Sequence, residues 1–207
     1  MIRCRIAFPL FAALLLQFAP SAMADATGYE WKTGDVVFQS TKGEQAEAIR
    51  KATGSRFTHC GVVFEAGGEW KVLEAVQPVK VTPLAEFQKR SLPGTFQVRR
   101  LKQPLAPESL ELARAWGQKQ VGLNYDVHFR WDDQTLYCSE LVWKIYKQAG
   151  VELCATRRFK DYALESPEVK AVIKERYGSV DKMPQDEPVV SPGDLADSPL
   201  LVEVPAK

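Results

Sequence analysis

Two β-rich runs, Cys60 to Glu65 and Trp70 to Val76, flank Ala66-Gly67-Gly68-Glu69, and this hairpin limits the fold most sharply. So short a connection joins antiparallel strands, and glycine supplies the positive φ that a tight hairpin turn needs. Whether the turn is Gly67-Gly68 or all four residues, Glu65 falls opposite Trp70. Counting back along both strands then sets Gly61 against Glu74. His59 shares the face of Gly61 and is the diagonal neighbour of Glu74, at ~7–8 Å between backbones and within side-chain reach. Gly61, without a side chain, leaves the space between them open. The opposite face carries Cys60, Val62, Phe64, Leu73 and Ala75 and reads as core. A one-residue change in the loop would exchange the two faces.

The strongest helical pattern runs from Leu136 to Ala149. Cys138, Leu141, Val142, Ile145 and Ala149 follow the spacing of one helix face, and Gly150 ends it. Glu44 to Thr53, closed by Gly54, reads as a shorter helix with a glycine cap. Pro107 to Gln120 is helical, with either Leu110, Ala113 and Gly117 or Leu112, Ala115 and Trp116 on the packed side. Pro167 opens another helix through Arg176. Val36 to Phe38, Phe96 to Leu101 and Leu200 to Val204 read as strands, and Asp181 to Pro192 as a surface loop. The mixture predicts an α+β fold, a mostly antiparallel sheet packed with helices.

The N-terminal segment predicts export. Met1 to Arg5 is basic, Ile6 to Phe18 is apolar apart from Pro9 and Gln17, and Ala22-Met23-Ala24 is a small-x-small cleavage signal. Residues 1–24 therefore read as a signal peptide and 25–207 as a single domain. The apolar run is shorter than the ~20 residues a membrane span needs, and no later segment is apolar enough to cross. Without Arg3 and Arg5 the chain keeps 25 basic against 26 acidic residues. No basic stripe points to nucleic acid or to an anionic membrane surface.

Beyond the leader stand three cysteines, Cys60, Cys138 and Cys154, and the chain has only two histidines, His59 and His128. Cys138 lies in the first turn of the strong helix, where unpaired amides and the helix dipole favour thiolate over thiol. The plain alternative is a buried core cysteine. A thiolate nucleophile needs a base, and His59, with Glu74 in reach to fix its tautomer, is the better candidate. Cys60 reads as a structural core residue, and His128 as a loop or surface residue. Zinc sites show paired ligand spacings that are missing here, so no metal is expected. A Cys60–Cys154 disulfide would leave Cys138 free.

The pieces Gly34-Asp35-Val36-Val37-Phe38, Thr58-His59-Cys60-Gly61-Val62-Val63 and Val72-Leu73-Glu74-Ala75 come first. Gly122-Leu123-Asn124-Tyr125-Asp126 and Tyr137-Cys138-Ser139-Glu140-Leu141-Val142 follow. In this order they resemble the circularly permuted papain-like hydrolases of the NlpC/P60 superfamily, in its YiiX/YebB-like branch. The histidine precedes the cysteine, as the permuted order requires, and Ser191-Pro192-Gly193-Asp194 to Leu200 resembles the family's end. The resemblance implies Cys138 as nucleophile, His59 as base and Glu74 as the orienting residue. It sets Tyr125 beside the cysteine, lining the pocket or helping to hold the oxyanion, with a packed core tyrosine as the alternative. Asp126 would cap or brace its loop.

The implied activity is that of a periplasmic or secreted cysteine hydrolase, cleaving amide or ester bonds through a thioester without a cofactor. Its substrate would be a peptidoglycan-derived peptide or an acyl-amide. An acyltransferase would use the same residues, and a non-catalytic cell-wall binding module would keep the fold without the thiol.

Overall fold

The computed structural model describes residues 28–206, so the leader expected over residues 1–24 lies outside the described residues. β1 (Val36–Gln39) and α1 (Glu44–Thr53) precede the hairpin of β2 (His59–Ala66) and β3 (Glu69–Glu74). β4 (Lys80–Pro83), α2 (Leu84–Lys89), β5 (Gln97–Leu101) and α3 (Pro107–Lys119) follow. After a long loop come α4 (Cys138–Gln148), β6 (Arg157–Arg158), α5 (Pro167–Tyr177), β7 (Pro188–Val189), α6 (Pro192–Ala196) and β8 (Leu201–Glu203). Six strands form one sheet in the order β4-β3-β2-β1-β5-β8, each pair antiparallel.

Alternation along the strands sends side chains to two cores. Val36, Phe38, Cys60, Val62, Phe64 and Leu73 pack under α4 with Leu141, Val142 and Ile145. Val37, Val63, Val72 and Val98 face the other way, against Leu84 and Phe87 of α2 and against Trp31. Both faces being covered, β1 is buried at every residue, which is why its sequence shows an apolar run rather than alternation. Asp35 enters β1 with no exposure. Its carboxylate accepts Arg100 Nε at 2.6 Å and Nη2 at 2.8 Å, which ties β1 to β5.

The hairpin turns on Gly67 and Gly68, with φ of 67° and 78°, and Glu65 pairs with Trp70. The space beside Gly61 is not open, however. A Cβ there would stand 2.5 Å from Val72 Cγ1 and 2.9 Å from the Leu73 carbonyl oxygen. Glycine is required because Val72 lies across β2.

α4 begins two residues later than the periodicity suggests. Tyr137 is extended, with φ −101° and ψ 168°, so Cys138 is the first helical residue. In α3, Ala113 and Gly117 are buried and Leu112 is 63% exposed, which selects the Leu110-Ala113-Gly117 side. Four elements escaped the sequence reading: β4, α2, β6 and α6. The segment from Asp181 to Pro192 is also more than a surface loop. It holds β7, paired with β6, and it buries Met183, Val189 and Val190.

Candidate active site

The sheet register brings His59 and Glu74 together. With Val62 opposite Leu73, His59 and Glu74 sit at adjoining strand ends on one face, and His59 Nε2 lies 2.5 Å from Glu74 Oε2. Glu74 has no exposure, and a buried carboxylate is stable only when its oxygens are satisfied. Its other oxygen accepts Thr82 Oγ1 at 2.6 Å and Arg90 Nη2 at 2.5 Å. Thr82 comes from β4 and Arg90 from the end of α2, so two elements that the sequence did not reveal hold this carboxylate. The His59 ring also stacks on Phe87 of α2, with centroids 5.5 Å apart and planes 25° from parallel.

α4 points its first residue at this pair. Cys138 lies close enough to His59 for each to shift the other's titration, while Nε2 of the ring is engaged by Glu74. Burial opposes charge on His59, but Cys138 and Glu74 outweigh it and lift the imidazole to about 9. Burial likewise opposes ionisation of Glu74, yet His59, Thr82 and Arg90 hold its carboxyl down at about 2. Cys138 is held well below the usual thiol range by Cys60 and then, against burial, by His59. The arrangement is that of a thiolate–imidazolium pair braced by a buried carboxylate. Cys60, Cys138 and Cys154 are all free thiols.

A parallel bridge between Tyr125 and Leu136 carries the Gly122–Asp126 loop to the start of α4. Tyr125 and Cys138 line one cavity of about 800 Å³, counted to its open mouth. Burial and then the charge of Cys138 push the Tyr125 hydroxyl well up, so it stays a neutral donor. It accepts Gln45 Nε2 at 2.9 Å, and Gln45 in turn accepts Arg176 Nη2 at 2.5 Å. The rest of the wall is apolar, chiefly Ala48, Ile49 and Ala52 of α1 with Val169, Val172 and Ile173 of α5. Asp126 braces its loop, accepting the amides of His128 at 2.8 Å and Arg130 at 2.6 Å. His128 lies in a loop, as expected, half-buried with its ring edge-on to Tyr177 at 5.3 Å, and it takes no part in the cluster.

A cysteine at the start of a helix, a histidine supplied earlier in the chain by the sheet, and a carboxylate behind it define a papain-like cysteine hydrolase in permuted order. The profile described as "Permuted papain-like amidase enzyme, YaeF/YiiX, C92 family" matches residues 30–204. The chain belongs to this family, and its fold and enzyme class are those of a cysteine amidase. It is 36% identical over 187 residues to the uncharacterised protein YiiX of Escherichia coli K12, covering 89% of this chain and 92% of that one. It also superposes on the crystal structure of YiiX from Escherichia coli O157:H7 with a TM-score of 0.79 and 37% identity, covering 85% of this chain and 97% of that chain. That second protein is described as a metalloprotein. Among the described residues here, no group of three or more His, Cys, Asp or Glu side chains is placed to hold a metal ion.

Proposed function

We propose that this chain is an exported cysteine amidase that hydrolyses an acyl-amide through a thioester on Cys138. The observation that carries the reading is the cluster in which Cys138, at the start of α4, lies beside a His59 that is hydrogen-bonded to the buried Glu74. The Cys138 thiolate attacks the amide carbonyl, and amides at the start of α4, with Tyr125 nearby, stabilise the oxyanion. Protonated His59 gives its proton to the departing amine. Neutral His59 then takes a proton from water, the hydroxide opens the thioester, and the acid leaves with the thiolate restored. Glu74 fixes the tautomer and stabilises the imidazolium. The apolar cavity beside Cys138 favours an acyl chain over a polar peptidoglycan peptide. Export rests on the leader, residues 1–24.

One mass-spectrometric experiment tests both parts. Protein recovered from the periplasm should begin at Asp25. Incubated with N-dodecanoyl amides it should pass through an adduct of one acyl group on Cys138, and Cys138→Ala should form no adduct and lose turnover at least ~10³-fold. Undiminished turnover by Cys138→Ala would end the hydrolase reading, and a chain retaining Met1 would end the export reading.

A further inference from the structure

α1 and α5 pack in opposite directions. The amide of Ala163, ahead of α5, donates to the Ala52 carbonyl near the end of α1, and Arg176 near the end of α5 meets Gln45 near the start of α1. Helical spacing puts Gln45, Ala48 and Ala52 on one face of α1, and Val169, Ile173 and Arg176 on one face of α5. All six line the cavity that holds Cys138. The seam between the helices is thus polar at one end and apolar for two turns beyond it, about 10 Å. Its polar end is the one at Tyr125, whose hydroxyl accepts Gln45 Nε2 at 2.9 Å and whose loop is bridged to the start of α4.

Among the described residues, Arg176 is the one cationic side chain in the cavity wall. Arg90 and Arg100, also partly buried, hold the carboxylates of Glu74 and Asp35. Arg176 has no carboxylate partner among the described residues. Its Nη2 donates to Gln45 Oε1 at 2.5 Å, and its Nη1 is buried with no hydrogen-bond partner. A buried charged group with unmade hydrogen bonds is costly. The guanidinium is nevertheless held in place, its Cζ 4.9 Å from the centre of the Phe129 ring. Phe129 is the one non-glycine residue among those described with a positive φ, 51°. That conformation is unfavourable for a bulky side chain and persists where the surrounding structure enforces it. Asp126 enforces it by accepting the amides on either side, those of His128 and Arg130.

We propose that Arg176 is the substrate-recognition residue of this cavity, receiving a carboxylate on the amine half of the amide, so that the substrate class is an N-acyl amino acid. This deepens the amidase reading and rests on it for its catalytic meaning. A carboxylate supplies what the guanidinium lacks, a charged planar acceptor for its fork of N–H groups. In an N-acyl amino acid the carboxylate is one carbon removed from the amide nitrogen, so charge and scissile bond belong at the same end of the cavity. The acyl tail is left for the apolar seam. A charge at the far end of the tail would instead fall among Ala52 and Val169, where no cation lines the wall.

The test compares N-dodecanoylglycine with its neutral counterpart N-dodecanoylglycinamide. Calorimetric titration of the Cys138→Ala protein, which keeps the cavity, measures the affinity for each without turnover. The acid should bind at least about tenfold more tightly than the amide. Arg176→Met, which keeps an apolar stem, should remove that preference and leave the amide's affinity unchanged. Arg176→Lys should retain part of it, and Arg176→Gln, polar and neutral, repeats the comparison should the methionine variant fail to fold. Equal affinities with Arg176 present, or a preference that survives its loss, overturn the proposal. So does a loss that weakens both ligands alike, the outcome for an arginine that only braces Gln45 and Phe129. Turnover of the same pair by the protein with Cys138 intact is read separately. A binding preference without cleavage of either ligand would leave Arg176 its role and count against the amidase reading, whereas cleavage of both without preference would keep the amidase and discard the role.

Discussion

At the scale of single residues, three hydrogen bonds on Glu74 keep its carboxylate charged beside a protonated His59. His59 is raised from 6.5 to about 9, so its favourable interactions are complete below the unfolded value and vanish as pH rises through 9. Glu74 is lowered from 4.5 to about 2, so its contribution is complete above 4.5 and disappears as pH falls through 2. The pair therefore stabilises the fold fully between about 4.5 and 6.5. The kcat/KM profile should lose its alkaline limb near 9, the value belonging to the coupled site rather than to His59 alone. Glu74→Gln removes the charge that favours imidazolium, so this limb should move down by at least about one unit, and a limb that stays in place would deny Glu74 its role. The pairing of His59 with Glu74 was legible in the sequence because register is arithmetic once a hairpin turn is known, and Cys138 stood out by its place in the first turn of the strongest helix. Thr82 and Arg90 were not, because only tertiary packing brings them beside Glu74.

At the scale of elements, the hairpin fills the space beside Gly61 that the sequence reading left open. Gly61 is an unfilled position in the sequence, but in the fold Val72 occupies the room. Gly61→Ala should therefore push β2 and β3 apart where His59 meets Glu74, at a cost of about 1–3 kcal/mol. Backbone cannot yield as a side chain does, and the Leu73 carbonyl oxygen 2.9 Å away sets the limit. Val72→Ala added to Gly61→Ala should recover part of the loss, not all. Urea unfolding of the single and double variants measures this, and a Gly61→Ala protein as stable as the wild type would refute it. β4 and α2 escaped the sequence because each is too short for its periodicity to stand out. α1, α4 and α5 were long enough to show theirs.

At the scale of the whole molecule, the sheet and α4 place the Cys138 sulfur, and two peripheral helices line the cavity that leads to it. α1 follows β1 and α5 follows β6, far apart in sequence, and they pack through Ala48, Val169 and Ile173. Each was legible as a helix, but their meeting was not, because nothing local encodes which distant helix a stripe will touch. The cavity they enclose runs to Cys138, so an acyl group held as thioester would lie along α1 and α5. Each methylene buried there contributes about 0.8 kcal/mol, or roughly fourfold in kcat/KM, until the cavity is full. For a series of N-acyl p-nitroanilides, kcat/KM should thus climb steadily with acyl length and then level off. Ala48→Phe places a ring in the cavity from the α1 side. It should lower the length at which the climb stops while leaving the shortest substrates nearly unaffected. Retained iodoacetamide labelling of Cys138 would show that the site itself is intact in that variant. A wild-type profile flat with chain length would remove the acyl chain from the cavity. An Ala48→Phe profile that fell equally for every substrate would mean that the helices support the site without selecting what enters it.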